Sequence, residues 1–249
     1  MSAGSLIPEY YNSKFNLCVF LAPPASLHKN PSKFLKTLAS PYFYRAIIDI
    51  AEMTHNYNII PRDPKPHSGI CTIFGGAICT YGMSFFIDKD PGIDYHGRND
   101  MVMSNLPSGA GYRNYAHYGQ LLTPGPHAFT RFDEGTAQKN FDKYGQITPP
   151  EYDLKKLNFP LAVLSGSQDG LADPSGVAWT VDQLKETIFF SHEYYMGHLS
   201  FIFGKNMSWL TVDVMAILNH YNGECDEATQ NSLFEEGNDK CREMKEKEE

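Results

Sequence analysis

Positive charge is in short supply in this chain. Lys and Arg number 21 against 29 Asp and Glu, a formal net charge of −8. A phosphate-binding surface needs clustered cations, so a nucleic-acid partner is not expected. Long apolar runs are also lacking: no stretch reaches the roughly 18 residues that suggest a membrane span. The start, MSAGSLIPEYYNSKF, has no basic opening followed by an apolar segment, so no signal peptide is legible. Five cysteines are too few for a disulfide scaffold. No Cys/His cluster has zinc-site spacing, so no metal centre is expected, and nothing in the chain implies a cofactor.

Aromatic residues are plentiful (Phe 16, Tyr 15), and 249 residues are enough to bury a sizeable core. The most informative stretch is 159–203. Phe159 to Leu164 reads as a buried strand that breaks at Ser165-Gly166-Ser167-Gln168 and delivers Asp169. Asp173-Pro174 then starts a helix over 175–185, because Asp is a preferred N-cap and Pro suits the first helical position. A second strand, Thr187 to Tyr194, ends in a turn with His198 just past it. An acid and a histidine thus each follow the end of a strand, in the order Asp then His. That is the second half of the Ser…Asp…His order of an α/β-hydrolase.

GSQDGLADP and MGHLSFIF closely resemble the acid lipase family, which includes the gastric and lysosomal acid lipases. The family pattern is roughly G-x-x-D-x-L-A-D-P, a strand, and then N-H-x-D-F. The resemblance implies that Asp169 is the catalytic acid, His198 the base and Asp173 the helix N-cap. This chain has Gly197 where the family usually has Asn, and Ser200 where it often has Asp. FNLCVFLAPPAS (15–26) is similar to the family's strand ending in A-L-A-P, and SNLPSGAG to its S-H-x-P-A-G-T-S. FTRFDEG is similar to the family's strand-like F-x-x-Y-D-x-G, and Asn140, Tyr144-Gly145 and PPEYDL follow the family pattern up to Phe159.

The resemblance implies a partial α/β-hydrolase fold: late parallel strands with flanking helices, and a mostly helical cap insertion. The core is expected over 1–25 and 126–223, the cap or lid over 26–125, and a charged tail, disordered or a frayed helix, over 224–249. Lys33 to Met53 has helical spacing of apolar residues, residues 70–87 read as one or two helices, Asp88 to Arg98 as a polar loop, and Met207 to His220 as a closing amphipathic helix stopped at Asn222-Gly223. In the family the first strand comes one helix after the nucleophile elbow, G-H-S-x-G. No G-x-S-x-G occurs in this chain. By family spacing the serine would lie several residues before Met1. Ser2 is a weak candidate nucleophile, and Ser84 has only the first half of the elbow pattern.

The family also implies a cap disulfide, which falls on Cys71 and Cys79; the residues alone fit two buried thiols on a helix equally well. Nothing in the sequence fixes the state of Cys225 and Cys241. Asn206-Met207-Ser208 is an N-glycosylation sequon. By resemblance the substrate is a lipid ester, a triacylglycerol or sterol ester, met at a membrane or lipid-droplet surface only transiently, in a secreted or lysosomal compartment. The half carrying the elbow is an expected partner if it is a separate chain, and this chain alone is expected to be inactive. The rival reading is a non-catalytic lipid-binding or interaction protein derived from a lipase, or a truncated gene product.

Overall fold

The computed structural model describes residues 1–58, 87–98, 109–123, 129–225 and 232–246. Its centre is a parallel sheet of three strands in the order β1-β2-β3: β1 (Cys18–Leu21), β2 (Leu161–Gly166) and β3 (Ile188–Tyr194). Cys18 pairs with Leu161 and Leu21 with Leu164; on the other side Ala162 pairs with Phe190 and Gly166 with Tyr194. β2 is buried along its whole length. A middle strand of a parallel sheet is covered on both faces, which is why its first four residues, LAVL, form an unbroken apolar run instead of an alternating one. Each fully buried Leu or Val there contributes about 1.5–3 kcal/mol. The chain has the expected α/β class, a parallel sheet with flanking helices.

Two short helices, α1 (Ser2–Leu6) and α2 (Pro8–Asn12), lead into β1. Pro8 at the first position of α2 separates them, since the residue before a proline avoids helical backbone. The same rule divides the helix expected over 33–53. It is two helices, α3 (Lys33–Leu38) and α4 (Pro41–Thr54), because Ser40 ahead of Pro41 is extended (ψ 142°). These two and α5 (Tyr112–Leu122) form one helical layer around Leu27, Ala39, Leu121 and Leu122. Between α4 and α5 the described residues are 55–58, 87–98 and 109–111; the expected helices over 70–87 fall almost wholly outside them.

FTRFDEG forms no regular strand; Thr130 makes a single bridge to Glu151. The segment is held instead by a buried polar knot. Asn140, in α6 (Ala137–Tyr144), accepts from the Glu134 amide (2.9 Å) and donates to Asp133 Oδ1 and the Ile147 carbonyl. Tyr144 donates to the Phe132 carbonyl (2.8 Å).

The helix α7 (Pro174–Gln183) follows β2. After β3 come a short helix, α8 (Ser200–Phe203), a widened helical turn, Trp209–Val214, and α9 (Met215–Asn222), which Gly223 ends at φ 73°. In the widened turn the buried Asp213 accepts from the Tyr194 hydroxyl (2.8 Å) and the Leu233 amide (2.7 Å). The charged tail carries α10 (Glu235–Glu246). Phe234 is buried in the main core beside Phe189 and Phe190, and a Cys225–Cys241 disulfide ties α10 to the end of α9.

Candidate active site

β2 and β3 run parallel, so their C-terminal ends open into loops on the same side of the sheet. β2 ends at Gly166, where a Cβ would overlap the Met196 carbonyl. That close approach locks the two loops together. Ser167 donates its amide to Tyr194 O (2.8 Å) and Gln168 to Met196 O (2.9 Å).

Asp169 is completely buried, and its two carboxylate oxygens have different partners. Oδ1 accepts the amides of Leu171 (2.8 Å) and Ala172 (2.7 Å). Oδ2 faces His198 Nδ1 at 2.9 Å. An ionised carboxylate only accepts, so Nδ1 carries the proton and Nε2 presents its lone pair. Among the described residues no group hydrogen-bonds Nε2. The imidazole side chain is 23% exposed, so the ring is not wholly enclosed. Burial alone would lower the His198 pKa, but the hydrogen bond and charge of Asp169, with the charge of Asp88, outweigh it and hold the ring above its ordinary value. The arrangement can take a proton at Nε2 and stabilise the resulting imidazolium.

The expected acid and base are therefore side by side. Asp173 caps α7 by accepting from the Ser175 amide (3.1 Å), and its other oxygen lies 3.5 Å from Lys89 Nζ. Ser2 is not brought to His198. Its helix packs on the turn at Leu154–Lys156 and on Leu157, which precede β2, whereas His198 follows the far ends of the strands. Six strand residues span roughly 20 Å. Asn206 is exposed. Cys71, Cys79 and Ser84 lie outside the described residues. No group of three or more His, Cys, Asp or Glu among the described residues is arranged to hold a metal ion.

Some residues at the site were not anticipated. Asn30 donates to the carbonyls of Gly170 (2.9 Å) and Leu171 (3.1 Å), fixing the acid loop from the segment after β1. Asp88 accepts the amides of His198 and Leu199, and Asp94 accepts from Ser200 Oγ (2.6 Å). The sequence signal for the two carboxylates was only their placement in a polar loop. Two clefts adjoin the core. One of about 800 Å³ follows the outer edge of β1, lined by Val19, Leu21, Pro24, His117, Tyr118 and Phe129 among others. The other, about 240 Å³ and apolar, lies between Leu35, Tyr115, Tyr118, Leu122 and Leu171. Neither Asp169 nor His198 lines either cleft.

No family model matches the chain. Individual proteins do. A tear acid lipase-like protein of Mesocricetus auratus is 27% identical over 209 residues, covering 83% of this chain and 51% of that protein. The gastric triacylglycerol lipase of Rattus norvegicus is 35% identical over 105 residues, 42% of this chain and 26% of the lipase. The lysosomal acid lipase/cholesteryl ester hydrolase of Homo sapiens is 33% identical over 112 residues, 45% of this chain and 28% of that enzyme. The chain thus spans about half the length, or less, of these relatives. With an acid–histidine pair at adjacent parallel strand ends, in the chain order that the motif requires, this protein is a distant homologue of the gastric and lysosomal acid lipases.

Proposed function

We propose that this chain supplies the acid and the base of a serine ester hydrolase that acts on lipid esters, triacylglycerols or sterol esters. The observation that carries the reading is the 2.9 Å contact between buried Asp169 and His198 Nδ1, with Nε2 bonded by no group among the described residues. In this mechanism Asp169 keeps the proton on Nδ1. Nε2 takes the hydroxyl proton of a serine as its oxygen attacks the acyl carbonyl, then passes that proton to the departing alcohol. A water, activated at the same nitrogen, releases the fatty acid and restores the serine. No G-x-S-x-G occurs among the 249 residues and Ser2 is at the wrong end of β2. The nucleophile therefore comes from other residues, on the same longer polypeptide or on a separate chain.

Residues 1–25 and 126–223 act as hydrolase core in this reading, and 224–249 as an appended tail. Residues 26–125 act as the lid. The apolar cavity between α3, α5 and Leu171 supports that role, since Leu171 is two residues past Asp169. A secreted or lysosomal compartment is supported by the Cys225–Cys241 disulfide, because such bonds persist in oxidising surroundings. Among the described residues no helix is long and apolar enough to cross a membrane, and contact with a lipid surface is transient.

The rival reading, a non-catalytic lipid-binding or interaction protein, has one observation in its favour: the large cleft along β1 does not include His198. The test joins this chain to a segment bearing a G-H-S-x-G elbow and assays emulsions of a triacylglycerol and a cholesteryl ester. Hydrolysis should fall about 10⁴-fold in Asp169→Asn and at least as far in His198→Ala. A folded joined protein that binds fatty acid without turnover supports the rival reading. Turnover that survives His198→Ala rules out the first.

A further inference from the structure

The segment 87–95 lies across both loops of the candidate pair. On the acid side Lys89 donates its amide to Gln168 O (2.8 Å) and Gly170 donates to Ile87 O (2.7 Å). On the base side Tyr95 donates to Phe203 O (2.9 Å) and Lys205 to Ile93 O (2.9 Å). Between these ties the Asp88 carboxylate accepts the backbone amides of His198 and Leu199. It occupies the room that a side chain at residue 197 would need, since a Cβ on Gly197 would overlap the Asp88 carboxyl group.

We propose that Asp88 is a positioning residue for His198: its carboxylate, delivered from a separate segment, fixes the His198–Leu199 backbone and so sets the imidazole against Asp169. Its value to ester hydrolysis rests on the reading of His198 as the base.

The two departures from the family motif fit together on this account. Ser200 Oγ donates to Asp94 Oδ1 (2.6 Å) and accepts from the Gly197 amide (2.9 Å). The polar side chains that the family pattern places at 197 and 200 are replaced here by two carboxylates of the crossing segment, one on each side of the turn. Asp88 is 3% exposed. The charged groups around it are Asp94 on its own segment, Asp169 on the acid loop and His198 on the base loop; Lys89 pairs with Asp173. Burial, and then the charges of Asp94 and Asp169, push Asp88 up to about 7, against the opposing pull of the His198 and Leu199 amides. The charge of Asp88 in turn helps to hold His198 up. Asp88 and His198 therefore titrate as a coupled pair with macroscopic steps that belong to both.

The experiment is a ¹⁵N NMR titration of the full chain labelled at histidine, with His198→Gln to assign the resonance. The wild-type imidazole should follow two coupled steps and keep its proton on Nδ1 when neutral. Asp88→Asn retains size and one acceptor but no charge. It should titrate in one step, about half a unit to one unit lower, with the tautomer kept. Asp88→Leu removes both acceptors, and Gly197→Ala displaces the carboxyl group without altering its chemistry; both should lose the tautomer preference. A His198 that titrates in one step with the same midpoint in wild type and Asp88→Asn overturns the proposal, as does an unchanged tautomer in Asp88→Leu. The readout is the imidazole and not turnover. A joined protein that fails to hydrolyse esters while these couplings persist would overturn the functional reading and leave the positioning role standing.

Discussion

Asp169 uses its two oxygens for two tasks, and that division makes the pair stiff. Oδ1 is anchored by two backbone amides of its own loop, so Oδ2 has one orientation in which to meet Nδ1. Asp169→Asn would donate to the ring where the carboxylate accepts, and the proton would move to Nε2. His198 should then titrate below its wild-type midpoint, which the same NMR titration reads. Asp88 gives a second residue-scale prediction, with an unusual sign. Its folded pKa is raised from 3.8 to about 7, so the folded state holds a proton that the unfolded chain has already released. That contribution to stability is complete below pH 3.8 and is lost as pH rises to about 7. His198, also raised, extends the loss above its ordinary value near 6.5. The Asp88 shift alone corresponds to roughly 4 kcal/mol at most. Asp88→Asn should therefore gain stability on the wild type between pH 4.5 and pH 7.5 in urea unfolding; an equal difference at both pH values would contradict the assignment. Asp169 and His198 were legible because each sits in a short run of residues following a strand. Asp88 was not, because 110 residues separate it from the amide it holds and nothing in its own neighbourhood signals that contact.

Strands and helices were legible where one segment contains its own cause. β2 shows its burial as an unbroken apolar run, and α7 shows its start as Asp173-Pro174. Asp173→Ala should cost about 1 kcal/mol through the lost cap. The partly exposed Lys89 pair adds little, and the His198 titration should stay in place. Where tertiary contacts decide, the sequence was a poorer guide. FTRFDEG looks like a strand but is held by Asn140, Tyr144 and a single bridge, none of which its own pattern reveals. The widened turn at Trp209–Val214 is likewise invisible in an amphipathic pattern, although it is what aims Asp213 at both Tyr194 and the tail. Asp213→Ala leaves the half-buried Tyr194 hydroxyl and the Leu233 amide without their acceptor, and should cost about 1–3 kcal/mol in denaturant unfolding. Breaking the Cys225–Cys241 bond with Cys225→Ser opens a loop closed over a separation of 16 residues. A cross-link of that span is worth about 3 kcal/mol, so reduction should release α10 before the core unfolds, seen as early hydrogen exchange of residues 235–246.

At the scale of the molecule, the described sheet has β1 on one side, with Leu21 42% exposed and the large cleft beside it. An unpaired apolar strand edge is a template for association. The chain alone should therefore self-associate, and a Val19→Lys substitution on that edge should shift it toward monomer in light scattering. The α/β class was legible because strand, helix and strand follow one another with short connections over 159–203; the placement of segment 87–95 across two loops was not, since it depends on the whole chain being folded. In the proposed mechanism His198, oriented by Asp169, serves a serine that is not among these residues. A fluorophosphonate probe tests this most directly, applied to the 249-residue chain alone and to the chain joined to a G-H-S-x-G segment. No serine should be labelled in the chain alone, and the elbow serine of the joined protein should be labelled stoichiometrically, a labelling that His198→Ala abolishes. A labelled serine within the chain itself, or labelling of the elbow that is indifferent to His198, would contradict it.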